Sequence, residues 1–279
     1  MFQSFRTILI PVDFSINTEA AIYKALELTD GTNAHIHLLH VTQCLATAGI
    51  QRSREAAETR LNQWKASLEE TYPSTGVFVW IVNHPVIRQV IEQMAVRLKA
   101  DLVVIGKRSQ PRWLSFRSHV RPEKIALATQ CALLVVKPGA LRHKTKTVIV
   151  PVSENLSAAK MQALSAICRG SRVKIFLVAF STGGRSDISS ADSLLHLYQW
   201  IRNDLHCPVE HTVLYGPNRG RTLLSYARKV DADVLLLQPE EGGRIGWPSR
   251  QLADAVPSAS KMQVLMVAGF DTAIRMGTA

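Results

Sequence analysis

Short unbroken runs of β-branched and aliphatic residues alternate along the chain with longer stretches in which apolar positions recur every three or four residues. Thr7 to Val12 is such a run, the mark of a strand covered on both faces, as in a parallel sheet. Ala21, Ala25 and Leu28 then recur at helical spacing, with Ser15 or Asn17 placed to cap that helix. His35 to Val41 reads as a second strand, entered through a turn at Gly31 and Asn33. Gln51 to Tyr72, rich in Arg, Glu, Ala and Leu, reads as a long exposed helix ended by Pro73, and Gly76 to Val82 as a third strand. Val86, Ile87, Val90, Ile91, Met94, Ala95 and Leu98 make one apolar stripe, the clearest helix of the chain. Leu102 to Ile105 is a fourth strand, Glu123 to Thr129 a helix, and Ala132 to Val136 a fifth strand.

The order then starts again. Thr7-Ile-Leu-Ile-Pro-Val-Asp-Phe-Ser15 returns as Thr147-Val-Ile-Val-Pro-Val-Ser-Glu-Asn155, and Ala100-Asp-Leu-Val-Val-Ile105 as Ala232-Asp-Val-Leu-Leu-Leu237. His84-Pro85 is matched by Gly216-Pro217. The predicted strands of the second copy are Thr147 to Val152, Val173 to Ala179, Val209 to Leu214, Val234 to Leu237 and Val264 to Val267. Pro138-Gly139 and the polar run Arg142 to Lys146 read as a short linker. Alternating strands and helices give right-handed crossovers and a parallel sheet. The expectation is an α/β chain of two tandem, doubly wound, five-stranded parallel-sheet domains, one over residues 1–140 and the other over 145–279.

With 279 residues and 47% hydrophobic content, each domain can bury its own core without a disulfide or metal staple. Cys44, Cys131, Cys168 and Cys207 lie far apart in sequence, with no Cys-x-x-Cys pair, which argues against a zinc site and a disulfide framework. No apolar run approaches membrane-spanning length, and Met-Phe-Gln-Ser-Phe-Arg leads into a strand without the pattern of a signal peptide, so a soluble cytoplasmic protein is expected. The net charge of +11 is shared almost evenly between the halves and favours anionic partners. It is densest from 107 to 124, where Lys107, Arg108, Arg112, Arg117, Arg121 and Lys124 face Glu123 alone. That cluster has two readings, a solvated loop or an anion-binding one. His35 and His37 share a strand face, as a metal pair or, more simply, as edge or surface residues. The five tryptophans show no stacking ladder with basic residues, so nucleic acid is not an expected partner.

In an open parallel sheet, ligands sit beyond the carboxyl ends of the strands where strand order reverses. In the first half, Asp13 and Gly106 mark the ends of the first and fourth strands. A carboxylate there serves as a turn or helix-capping group, or accepts from an adenine amino group or a ribose hydroxyl. A glycine lets the backbone approach a phosphate. Pro11-Val-Asp-Phe-Ser15, His40-Val41, Ala100-Asp-Leu-Val-Val-Ile-Gly106 and Glu123-Lys124 before Cys131-Ala-Leu-Leu-Val-Val136 resemble a universal stress protein domain. The likeness extends over both halves, as in tandem members of that family, whose fold is of the adenine nucleotide α-hydrolase type.

The resemblance implies a stress-response regulatory protein acting by binding protein partners or a small anionic ligand, not by catalysis. The alternative it carries is ATP bound in the first half, with Asp13 and Val41 on the adenine side. The family's phosphate loop, Gly-x-x-Gly, nine residues, then Gly and Ser or Thr, falls here on Gly106, Ser109, His119 and Val120, so only its first glycine is kept. Lys107, Arg108 and Arg117 are then the groups left to hold phosphate oxygens. The second half departs further: Ser153-Glu154 replaces Asp-Phe, Gln238 replaces the first glycine, and Glu240-Glu241 stand where phosphates would lie, so no family-type ATP site is expected there. The loop offers no evident acid to position water and, with Val120 at the family's position, no magnesium-binding hydroxyl there, against ATP hydrolysis. Family members commonly pair through the fifth strand, which here predicts Ala132 to Val136 against Val264 to Val267 as an internal pseudo-dimer, alone or within a homodimer.

Overall fold

A computed structural model describes residues 5–29, 33–43, 47–107, 121–141, 143–152, 157–169, 172–181, 187–239 and 249–268. The first half contains strands β1 (Thr7–Pro11), β2 (His35–Thr42), β3 (Gly76–Asn83), β4 (Leu102–Gly106) and β5 (Ala132–Val136). Between them run helices α1 (Ile16–Leu28), α2 (Thr47–Thr71), α3 (Ile87–Leu98) and α4 (Pro122–Thr129). The second half repeats the order with β6 (Thr147–Pro151), β7 (Lys174–Ser181), β8 (Val209–Tyr215), β9 (Val234–Leu237) and β10 (Gln263–Met266). Its helices are α5 (Ala158–Cys168), α6 (Asp187–Trp200), which runs on into a π turn over Ile201–Leu205, α7 (Arg219–Lys229) and α8 (Ser249–Ala255).

All ten strands form one sheet in the order β3-β2-β1-β4-β5-β10-β9-β6-β7-β8. Pairing is parallel within each half and antiparallel only where β5 meets β10, with Val135 opposite Val264 and Leu134 opposite Leu265. The two fifth strands therefore cover each other's edges, which would otherwise present unpaired backbone groups. Alternation along each strand sends Ile8 and Ile10 to one face and Leu9 to the other, and likewise Val148 and Val150 to one and Ile149 to the other. Each face's apolar layer runs through both halves. The chain is one continuous α/β body with two parallel five-stranded units.

The repeated Ala-Asp before the fourth strand has a structural cause. Asp101 Oδ2 accepts hydrogen bonds from the Arg6 and Thr7 amides, at 3.0 and 2.9 Å. Asp233 Oδ2 accepts from Lys146 and Thr147, both at 2.9 Å. Each carboxylate thus ties the start of its fourth strand to the start of its first.

The segment read as a linker is fixed on both sides. Lys24, fully buried on α1, pairs with Glu27 at 2.6 Å and donates to the His143 carbonyl, while Glu27 Oε1 accepts from Thr145 N at 2.6 Å. Gly139 N donates to Ser258 O at 3.0 Å, and a Cβ on Gly139 would lie 2.2 Å from Ala259 O. Glycine is required there because the two halves touch backbone to backbone.

The histidine expectation is corrected in part. β2 is an interior strand, and His37 is buried against Phe78 and Trp80, with Trp80 Nε1–H donating to His37 Nδ1 at 3.1 Å. His35 is exposed. The Arg97 guanidinium lies over Trp80, 5.7 Å from its centroid. Cross-strand packing on the pleat produces this column, since His37 faces Phe78 in register.

Candidate functional site

β1 pairs with both β2 and β4, so strand order reverses between β1 and β4. Residues 11–18 and 105–107 meet beyond that point. The chain leaves β1 through Val12, whose amide still bonds Leu39 O at 2.8 Å, and turns at Asp13. Asp13 Oδ1 accepts from Ser15 N at 3.0 Å, from Ser15 Oγ at 2.6 Å and from Thr18 Oγ1 at 2.6 Å. The Asp13 amide in turn donates to Thr18 Oγ1 at 3.1 Å. Ser15 is the N-cap of α1, its hydroxyl accepting from Asn17 N. Of the two capping alternatives, Ser15 holds the position.

Asp13 is exposed at its tip, and among the described residues all three of its carboxylate hydrogen bonds fall on Oδ1. Burial of the group works to raise its pKa, but the bonds from Ser15 and Thr18 outweigh it and hold the carboxyl below its ordinary value. The group is an anion at neutral pH, oriented through one oxygen with the other left for a donor. The turn and ligand readings of Asp13 are therefore compatible.

The tight turn leaves Phe14 at φ 58°, in the left-handed region that a bulky side chain rarely adopts. That conformation lays its ring against His40, with centroids 4.8 Å apart, and Trp64 at 5.6 Å. The Arg60 guanidinium caps the same ring at 4.3 Å. His40 Nδ1 lies 2.8 Å from Val12 O and donates to it. Phe14, Arg60 and Thr18 are site-forming residues that sequence reading passed over. The available signal was hydroxyls two and five residues after a carboxylate at a helix start.

Val41 is half-buried on β2 beside Val82 and packs on the layer under α3. Gly106 ends β4 where expected, but the cause of the glycine differs. A Cβ there would lie 1.9 Å from the Asn17 carbonyl oxygen, so the first turn of α1 requires it irrespective of any phosphate.

The Lys107 ammonium is 2.9 Å from Asp254 Oδ1 on α8, which ties the end of β4 to the second half. The structure brings Asp13 and Gly106 to the two sides of one helix start and places Val41 on the neighbouring strand. Arg108, Ser109, His119 and Val120 lie outside the described residues, as do Ser153, Glu154, Glu240 and Glu241 of the second half.

At the matching strand ends of the second half, Lys160 holds the third position after the N-cap Ser157, as Thr18 does after Ser15. Its buried ammonium donates to Pro151 O at 3.1 Å. Gln238 stands at the place of Gly106 and is buried, its Oε1 without a hydrogen-bond partner among the described residues. Among the described residues no three metal-ligating side chains cluster, and no helix is long and apolar enough to cross a membrane.

No curated protein matches the chain in sequence. Among solved structures, a universal stress protein from Archaeoglobus fulgidus superposes with a TM-score of 0.72 at 16% identity, covering 97% of this chain and 98% of that one. A functionally unknown protein from Pseudomonas aeruginosa gives 0.59 at 17% identity, over 96% and 94% of the two chains. The cytoplasmic domain of a prokaryotic cation chloride cotransporter gives 0.59 at 12% identity, over 95% and 96%. These likenesses establish the fold. The universal stress protein family model matches residues 4–137, the first half of the chain, and the second half repeats the same fold.

Proposed function

We propose that this chain is a regulatory protein of the universal stress type that works by binding, and that its ligand contact lies in the first half at the end of β1. The observation that carries this reading is the Asp13 turn. Ser15 and Thr18 fix an ionised carboxylate through Oδ1 alone, beside the junction of α1 and β4. Such a group is suited to accept from the hydroxyl or amino donors of a small ligand, and an adenine nucleoside presents both. With Lys107 engaged by Asp254, the phosphate side depends on residues beyond 107. The reading therefore places more of the recognition on the nucleoside than on its phosphates. No catalytic step is assigned: the hydroxyls beside Asp13, those of Ser15 and Thr18, are engaged in the turn and in the cap of α1.

Ligand binding raises the melting temperature by mass action. Millimolar ATP and adenosine, with and without magnesium, are expected to raise it for the intact chain, with no phosphate released from ATP above the blank. Asp13→Ala should remove the rise. No shift with either compound overturns the nucleoside assignment, and phosphate release that depends on Asp13 overturns the non-catalytic reading.

A further inference from the structure

Helix α1 carries Glu19, Ile22, Tyr23 and Leu26 at three- and four-residue spacing, which puts them on one face. Trp64, Ser67 and Leu68 share a face of α2 in the same way. Tyr72 continues that face just past the helix end, its amide still bonded to Leu68 O at 2.8 Å. The two faces line an open groove of about 280 Å³. Its aliphatic part belongs to the core, since Ile22 and Leu26 are buried and Leu68 packs half-buried on the same layer. Its rings are Tyr23 and Trp64, both half-buried, and Tyr72, which is 39% exposed.

Glu19 supplies the charge. It is exposed in the first turn of α1, where the helix dipole favours an anion. Among the described residues its carboxylate has no ion-pair partner, and no basic side chain lines the groove. The nearest cation is Lys24, whose ammonium lies 5.6 Å from the centre of the Tyr23 ring and is neutralised by Glu27 at 2.6 Å. In a chain of net charge +11, three aromatic rings beside an uncompensated carboxylate form a local region of negative potential.

From this lining we infer that the α1–α2 groove is a binding site for a small, free quaternary ammonium compound, with Glu19 and the rings of Tyr23, Trp64 and Tyr72 facing the charge. An anion would meet the Glu19 carboxylate and the electron-rich ring faces. A primary ammonium is strongly hydrated, and Ile22, Leu26 and Leu68 offer nothing in place of its water. A quaternary ammonium spreads its charge over methyl groups, which pack on those three residues while the charge remains in reach of rings and carboxylate. Ser67 adds a hydroxyl at the edge for a polar substituent. Trp64 also meets Phe14, with centroids 5.6 Å apart, so the groove adjoins the Asp13 turn without including Asp13. The site stands independently of the nucleoside reading.

The test is a titration of the intact, isotope-labelled chain with choline chloride, followed through the indole N–H signals by NMR. The Trp64 signal is assigned by its loss in Trp64→Phe. It should shift saturably in the millimolar range, whereas those of Trp80 and Trp200 stay in place. The neutral isostere 3,3-dimethyl-1-butanol should bind about threefold more weakly or worse, and sodium chloride at matched ionic strength should give no saturable shift. Glu19→Gln and Tyr72→Leu, both at exposed positions that leave the core intact, should each weaken choline by about two- to fivefold. Adenosine should not displace it. Equal binding of the neutral isostere would overturn the assignment of a cation. A Trp64 shift that follows sodium chloride, no saturable shift at all, or choline binding unchanged in both variants would overturn the site itself.

Discussion

The two halves share a backbone plan and use the same positions for opposite chemistry. Three residues into α1, Thr18 gives its hydroxyl to an exposed, ionised Asp13; at the same step of α5, Lys160 buries a cation against the Pro151 carbonyl. Next to Leu9 in register stands His37, and next to Ile149 stands Phe176. The end of β4 is a glycine that admits α1, whereas the end of β9 is a glutamine whose buried Oε1 has no hydrogen-bond partner among the described residues. The lesson is that sheet register and the carboxylate tie at Asp101 and Asp233 carry the fold, so the strand ends were free to diverge. Among the described residues at these strand ends, Asp13 of the first half is the anionic group presented outward.

The hardest way to break the comparison is to separate the halves. Val135 is 1% exposed and faces Val264 across the one antiparallel junction. Val135→Asp places an unpaired charge in both halves' shared layer, a loss of about 4 kcal/mol or more. Both halves should then unfold together, with soluble yield collapsing. A monodisperse chain on size exclusion, with unchanged melting, would mean the halves do not depend on each other.

Gly139→Ala tests the same dependence more gently. The added methyl meets the Ala259 carbonyl, so backbone must move, at a cost of about 1–3 kcal/mol. The expected result is a lower urea midpoint with an unchanged slope. A midpoint equal to wild type would show that the approach of the two connections relaxes freely.

His37 sharpens the comparison by pH. Burial, then the neighbouring His35, push its pKa down to about 4 from an ordinary 6.5, so the folded first half holds it neutral while the unfolded chain binds a proton. Stability is complete above pH 6.5 and declines as pH falls towards 4, by roughly 1–3 kcal/mol. Phe176 at the matching place has nothing to titrate. His37→Phe should remove that part of the acid loss between pH 6.5 and 5, read by Trp80 fluorescence during urea unfolding. Identical profiles for variant and wild type would mean that His37 is accessible to protons in the folded state.

Much of this was legible in sequence because buried parallel strands have a signature that burial itself imposes: unbroken aliphatic runs such as Leu102 to Ile105, repeated at Val234 to Leu237. The pairing of the fifth strands followed from the family resemblance, with the free edge of such a strand as its physical reason. What sequence could not supply was contact between distant side chains. Gly106 looked like a phosphate glycine because its neighbour Asn17 becomes adjacent only once α1 packs. Lys107 looked free because Asp254 belongs to the other half.

The Lys107–Asp254 pair gives the smallest effect and the most specific one. It joins the ligand-side end of β4 to α8, with Lys107 largely covered and Asp254 40% exposed on its side chain. Solvent screening at Asp254 limits its worth to about 0.5–1 kcal/mol. A second readout makes it measurable, for Lys137 is buried next to both groups. Its ammonium is pushed down to about 8, first by burial and then by Lys107, with Asp254 opposing. In the wild type, stability should therefore be lost below about pH 10 as the unfolded chain takes up a proton that folded Lys137 gives up, and the loss should level off near pH 8. Lys107→Met removes the repulsive neighbour and should move that lower limit upward, while Asp254→Asn removes the attractive one and should move it downward. Opposite displacements in urea-midpoint profiles from pH 7 to 10 would tie the two halves electrostatically at this point. Displacements of the same sign would mean that both substitutions act only through packing and that the junction is held by β5 and β10 alone.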